Sequence, residues 1–252
     1  MSGTKIAVAG ATGRVGRHIV DVARERGYEV VPMARSLGVD VISGEGLDAA
    51  LAGVDTIIDA ATGPSPDQDD ATTFFTTAAG NLQAAGHRAG VSRMVVVSII
   101  GADIFSEGYG AATYAHEQAA LAGPIPTRVV RAAQFHEFVP QLMEWGTQGD
   151  SAYVQDMWTQ AVAARTVAEA LVDAAADESP DRPALTEVAG PREESLVDLA
   201  MRYAAQQRPG LKVVPVPTPE GPDRKVYEEG GLLPGPDATL AGPTFEEWLA
   251  TT

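Results

Sequence analysis

The chain has 252 residues, 45% of them apolar, which is length enough for one large α/β core. Thirty-four acids against eighteen bases give a net charge of −16, a surface that would repel a phosphate backbone, so no nucleic-acid partner is expected. Zero cysteines exclude disulfides, thiolate nucleophiles and Cys-ligated zinc, and no apolar run nears the roughly 18 to 20 residues that cross a bilayer, so no membrane contact and a cytoplasmic location are expected.

Clusters rich in Val and Ile recur at residues 6–9, 30–33, 39–42, 56–60, 94–98 and 127–130 and predict six strands. The first begins so early that no signal segment is expected ahead of it. Between the first two, Val15, Ile19, Val22 and Ala23 repeat at helical spacing, Arg17, Asp21, Arg24 and Glu25 fill the other face, and Gly27 ends the pattern. The same period returns in Phe75, Ala78, Leu82, Ala85 and Ala89 before Gly90, and more loosely over residues 112–122. Strands that are apolar on both faces and joined by helical crossovers require a parallel sheet covered on both sides, so the expected class is doubly wound α/β.

Beyond Arg131 the texture changes. Phe135, Phe138, Trp145, Tyr153, Met157 and Trp158 fall among glycines and polar residues, which predicts a loop region on the substrate side, with plain core under a long loop as the alternative. Thr166 to Glu169 has capping-box spacing and Ser195 to Asp198 opens a second helix. The proline- and glycine-rich stretch 215–243 predicts extended, irregular chain before a short terminal segment at 245–249.

The first strand runs directly into GATGRVG. Gly10 permits the tight turn, Gly13 lets backbone approach a pyrophosphate and Gly16 allows close packing of the helix, whose N-terminus offers unpaired amides and positive potential. Thr12, Arg14 and Val15 complete this cofactor loop. At the end of the second strand the chain reads PMARS, with no acid to receive free ribose hydroxyls. Arg35 with Ser36, and Arg14 in the loop, suit a 2′-phosphate instead, so NADP is the expected cofactor. The expected organisation is a single NAD(P)-binding Rossmann domain over residues 1–252, with 1–134 as cofactor core and 135–252 mainly substrate-side and C-terminal elements.

With GATGRVG, the stretches AGVDTIIDA, VVVSIIGAD, VVRAAQFHEF and the closing GPTFEEWLA resemble the atypical short-chain dehydrogenase/reductases with NmrA-like NAD(P)-binding domains, across most of the chain. The resemblance implies Ser98 as a substrate-binding serine and Tyr109 as the tyrosine of a YxxxK motif. The lysine position holds Thr113, and the only lysines are Lys5, Lys212 and Lys225. Without a neighbouring cation Tyr109 stays protonated at neutral pH, which suits a proton donor better than a base. The resemblance also implies Ala61 and Thr62 at the cofactor, and Gln134, Phe135, Phe138 and Trp158 at a small-molecule substrate. His116, about 10 Å along the helix from Tyr109, is expected to be a surface or interface residue. The four scattered histidines, His136 with Glu137 among them, predict no metal site. Three functions remain open: an NADP(H)-dependent reductase of a small carbonyl, quinone or enone, an NAD(P)-sensing binding protein, and a non-redox biosynthetic enzyme. The sequence leaves the oligomeric state open.

Overall fold

Five of the six predicted strands form, and they pair in parallel because each is apolar on both faces. The computed structural model describes residues 4–179 and 181–252. The first half contains β1 (Lys5–Ala9), α1 (Gly16–Glu25), β2 (Glu29–Met33), α2 (Leu47–Ala50), β3 (Thr56–Asp59), α3 (Gln68–Ala89), β4 (Arg93–Ile99), α4 (Gly108–Leu121) and β5 (Thr127–Ala132). The second contains α5 (Phe138–Gly146), β6 (Thr147–Gln148), β7 (Ser151–Gln155), β8 (Trp158–Thr159), α6 (Ala164–Ala176), β9 (Leu185–Ala189) and β10 (Glu194–Ser195). It ends with α7 (Leu196–Gln207), β11 (Lys212–Val216), α8 (Arg224–Glu228), β12 (Thr239–Leu240) and α9 (Phe245–Leu249).

Seven strands make one parallel sheet in the order β12-β9-β5-β4-β3-β1-β2. The fold is the expected Rossmann-type α/β sheet. Because β1 lies between β2 and β3, the strand order reverses there, and the crevice outside their C-terminal ends is where open α/β sheets take ligands. Side chains alternate between two cores. Ile58 and Val95 join the layer of α1 and α6, while Ile57, Met94 and Val96 join that of α2, α3 and α4. A third cluster, with Val139, Met143, Leu199 and Phe245 among its members, binds α5, β7, α7 and α9 together.

The expected strand at 39–42 is a turn. Gly38 and Gly44 take φ of 80°, and the Asp40 carboxylate accepts from the Ile42 amide at 2.8 Å, so the chain folds back while Val39 fills core. The expected loop after Arg131 is instead α5 and the small sheet β11-β7-β6. Thr166 is not a cap. Helix α6 begins at Ala164, whose amide is met by the Glu137 carboxylate at 3.1 and 3.3 Å, a distant cap in place of a local one. Ser195 does cap α7, and Thr244 with Glu247 forms a capping box on α9. The proline-rich stretch is irregular apart from the end of β11, α8 and the short β12. Three elements beyond residue 134 (α6, β9 and β12) belong to the main sheet and its covering layer rather than to a substrate side. No helix among the described residues is long and apolar enough to cross a membrane.

Candidate cofactor and substrate site

The three loop glycines do different work. Gly10 has φ of 71°, and a Cβ there would lie 2.5 Å from the Ala60 carbonyl oxygen at the end of β3. At Gly16 a Cβ would meet the Gly10 oxygen at 2.0 Å, so α1 closes onto the turn only without one. Gly13 differs. Its Cβ would meet one atom, the Gly10 oxygen at 3.1 Å, and otherwise open space. Thr12, Gly13 and Arg14 are exposed, whereas the Val15 side chain is buried in core and offers only its backbone. No side chain caps α1 and no acid stands in its first turn, which leaves its positive end uncovered. This is a cradle that suits a diphosphate.

At the end of β2, Arg35 and Ser36 are exposed in a short 3₁₀ turn. Arg35 is paired with no acid among the described residues, so its charge is available to an anion. Beyond β3, Thr62 is exposed, while Ala61 is buried and its amide donates to Asp59 at 3.0 Å. The Arg14 guanidinium donates to Gln141 on α5, which links the glycine loop to that helix.

The Asp59 carboxylate also holds His116, Nε2 to Oδ2 at 3.0 Å. His116 is therefore not at the surface: it is 2% exposed and stacks on Phe75 with ring centroids 4.8 Å apart. Thr113, His116 and Glu117 are buried because α4 packs along α3 and β4, while Tyr114 between them points outward. The pair ties the wall at Ala61 to the helix that carries Tyr109. An aspartate ending the apolar strand TIID was the available sequence signal, since a buried carboxylate must find donors.

Ser98 is 3% exposed at the end of β4, and its hydroxyl donates to Glu117. Arg131 on β5 clamps the same carboxylate with Nε and Nη2, both at 2.8 Å, and reaches Asp103 with Nη1 at 2.6 Å. The expected substrate-binding role of Ser98 conflicts with this placement, because its proton is already committed inside the protein. The residues after it, Ile99, Ile100, Gly101 and Ala102, carry no hydroxyl. Thr113 is likewise turned inward, its Oγ1 donating to the Tyr109 carbonyl at 2.8 Å.

Tyr109 is 38% exposed near the start of α4, its ring against Phe75 at 5.7 Å. Partial burial pushes its phenol above the ordinary value, which keeps it protonated. Two distant residues hold this end of the helix. Gln68 accepts from the Gly108 amide at 2.8 Å, and the Asp223 carboxylate, from the stretch ahead of α8, takes the Ser106 amide, the Ser106 hydroxyl and the Glu107 amide at 2.7 to 3.0 Å. Tyr227 on α8 packs on Phe105 at 5.3 Å, so the proline-rich stretch supports the segment leading to Tyr109.

On the substrate side the four expected residues divide. Phe138 packs on Trp145 at 5.7 Å on the exposed face of α5, and Trp158 is also exposed. Gln134 accepts from the Thr159 hydroxyl, and Phe135, bridged to Val162, packs on the sheet core, so these two are structural in this conformation. Tyr153 is exposed and Met157 buried in the third core cluster. His136 is fully buried between Phe245 and Trp248, its Nε2 on the Pro243 carbonyl at 3.2 Å and its Nδ1 without a partner. Burial lowers its pKa, partly offset by that bond and the nearby acids Glu137, Glu194 and Glu246. No three His, Asp or Glu side chains among the described residues converge as metal ligands.

The NAD(P)H-binding family matches residues 10–123, from the first loop glycine to the turn after α4. Across the whole chain the likeness is to solved NAD-bound structures. MoeE5 in complex with UDP-glucose and NAD shares the fold with a TM-score of 0.74 and 18% identity, over 99% of this chain and 97% of its own. A UDP-N-acetylglucosamine 4-epimerase from Bacillus cereus aligns over 99% of this chain and 95% of its own, at 16% identity and a TM-score of 0.70. A short-chain dehydrogenase/reductase superfamily protein from Agrobacterium tumefaciens with bound NAD aligns over 98% and 95%, at 17% identity and 0.69. At these identities the likeness is one of fold. No curated protein matches the chain.

Proposed function

We propose that the protein is an NADP(H)-dependent reductase of the atypical, NmrA-like kind, acting on a small uncharged carbonyl, quinone or enone. The observation that carries the reaction is Tyr109: half-buried, kept protonated, and carried on α4, which His116 and Asp59 tie to the end of β3 against which Gly10 of the loop packs. The preference for NADP rests on Arg35, exposed and without an acidic partner among the described residues, and on the absence of any acid between Met33 and Gly38. The amides of the glycine loop and the Arg35 guanidinium would hold a reduced nicotinamide dinucleotide, which would supply the hydride. The Tyr109 phenol gives its proton to the carbonyl oxygen and regains one from solvent, which its exposure permits. Phe138, Trp145 and Trp158 offer aromatic faces to an uncharged substrate.

A second reading, an NADP(H)-sensing protein without turnover, is favoured by one observation: the hydroxyls of Ser98 and Thr113 both point inward, leaving Tyr109 alone. The test begins with titration of NADPH and NADH, where NADPH should bind more tightly and Arg35→Ala should erase the difference. NADPH consumption is then followed across ketones, quinones and enones. Tyr109→Phe should lower turnover about 100-fold or more while NADPH affinity stays within about twofold. Tight binding with no consumption of NADPH selects the sensor.

A further inference from the structure

We infer that Gln141 sets the cofactor affinity by competing for Arg14, so that the contact between them is a strap from the glycine loop to α5. The inference rests on the proposed placement of a dinucleotide diphosphate at the glycine loop.

Ten bases of this acidic chain are matched with acids, among them Arg26 with Asp173, Arg88 with Asp48, Arg165 with Glu25, Lys212 with Asp150 and Arg224 with Glu220 and Glu228. Arg14 has no acidic partner among the described residues. It stands between Gly13 and Val15 in the phosphate cradle, yet its partner is the neutral carboxamide of Gln141. A guanidinium bonded to an uncharged acceptor gives up that bond to a doubly charged diphosphate, because the anionic oxygens add Coulomb attraction and a bidentate geometry that a single carboxamide oxygen lacks.

The other end of the strap explains why the exchange matters. Phe138, Gln141 and Trp145 are spaced by three and four residues and share one face of α5, while Val139 and Met143 on the opposite side anchor it in the third core cluster. The Phe138–Trp145 pair, with Trp145 62% exposed, therefore stands on the face that Arg14 grips. Once Arg14 turns to an anion, α5 is held by its core side alone, and its aromatic face is free to settle on whatever fills the crevice. Gln141 touches neither the proton donor nor the reacting carbonyl. It is a positioning residue.

The experiment is a set of NADPH titrations, with wild type, Gln141→Leu, Gln141→Glu, Arg14→Met and the double variant of Arg14→Met with Gln141→Glu. Gln141→Leu removes the competitor and should tighten NADPH binding about threefold. Gln141→Glu makes an ion pair of the strap and should weaken it about tenfold, equivalent to about 1.4 kcal/mol. In the Arg14→Met background the glutamate should have little further effect, since the group it competes for is gone. A second readout needs no cofactor: amide exchange over residues 138–146 should quicken in Arg14→Met and slow in Gln141→Glu. Both Gln141 variants binding like wild type overturns the inference and leaves the cofactor reading standing, as does a tenfold effect that persists without Arg14. Wild type that binds neither NADPH nor NADH overturns the cofactor reading and the inference with it.

Discussion

Glu117→Ala offers the sharpest test of how the sheet and the Tyr109 helix are joined. The side chain is 2% exposed and accepts three bonds, from the Ser98 hydroxyl and twice from Arg131, whose own side chain is 7% exposed. Truncation would leave a buried guanidinium holding only Asp103, which is 45% exposed, and a buried hydroxyl with no acceptor. Breaking a buried ion pair on one side costs about 3 to 5 kcal/mol. Against the roughly 5 to 15 kcal/mol that stabilises a whole domain, this is a large fraction, and it should lower the melting temperature by about 10 °C in a chain of this size. Glu117→Gln keeps an acceptor and should cost about 1.5 to 3 kcal/mol. Replacing all three partners, as Ser98→Ala, Glu117→Leu and Arg131→Met, should cost less than Glu117→Ala alone, because no polar group is left stranded. Urea unfolding followed in parallel by far-ultraviolet circular dichroism and tryptophan emission measures each variant and tests whether the transition is two-state. A loss under about 1 kcal/mol in Glu117→Ala would show that the guanidinium finds water instead, and the reasoning from burial would fail.

Other consequences follow from single contacts. Burial opposes ionisation of Asp223, but the hydroxyl and amide of Ser106 and the Glu107 amide outweigh it and hold the carboxyl below the ordinary aspartate value of 3.8. Its stabilising contribution is therefore present above that value and fades as pH falls further, and Asp223→Ala should expose residues 219–232 to proteolysis at neutral pH. His136 has the same sign of pH dependence by another route: burial keeps it neutral in the fold, so stability is full above the ordinary histidine value of 6.5 and declines as the unfolded chain protonates below it. Wild type should thus lose more stability than His136→Phe between about pH 7.5 and about pH 5.5, and equal losses would clear His136 of the role. Gly16→Val should fail on stability, since a Cβ sits 2.0 Å from backbone, whereas Gly13→Val should fold and lose both cofactors. Intact NADPH binding by Gly13→Val would remove this loop as the phosphate cradle.

What the sequence determined by itself is local. Apart from the segment between β2 and β3, the order of strands and helices up to residue 132, the glycine loop and the absent lysine were legible because helical period, apolar runs and the steric need for glycine act between residues a few positions apart. A β-branched run such as 39–42 misleads by the same token, since flanking glycines and the Asp40 turn decide against a strand whose residues are apolar enough to form one. Only the tertiary structure decided which polar groups are spoken for. Ser98 and Thr113 read as site residues until Glu117 and the Tyr109 carbonyl claim their protons. Asp59 finds His116, Asp223 finds Ser106 and Arg14 finds Gln141 across separations of 57, 117 and 127 residues. No periodicity spans such distances. A buried charge or hydroxyl must be satisfied by whatever donor or acceptor the packing brings beside it, and that neighbour is chosen by the sheet order and the cores, not by the chain on either side.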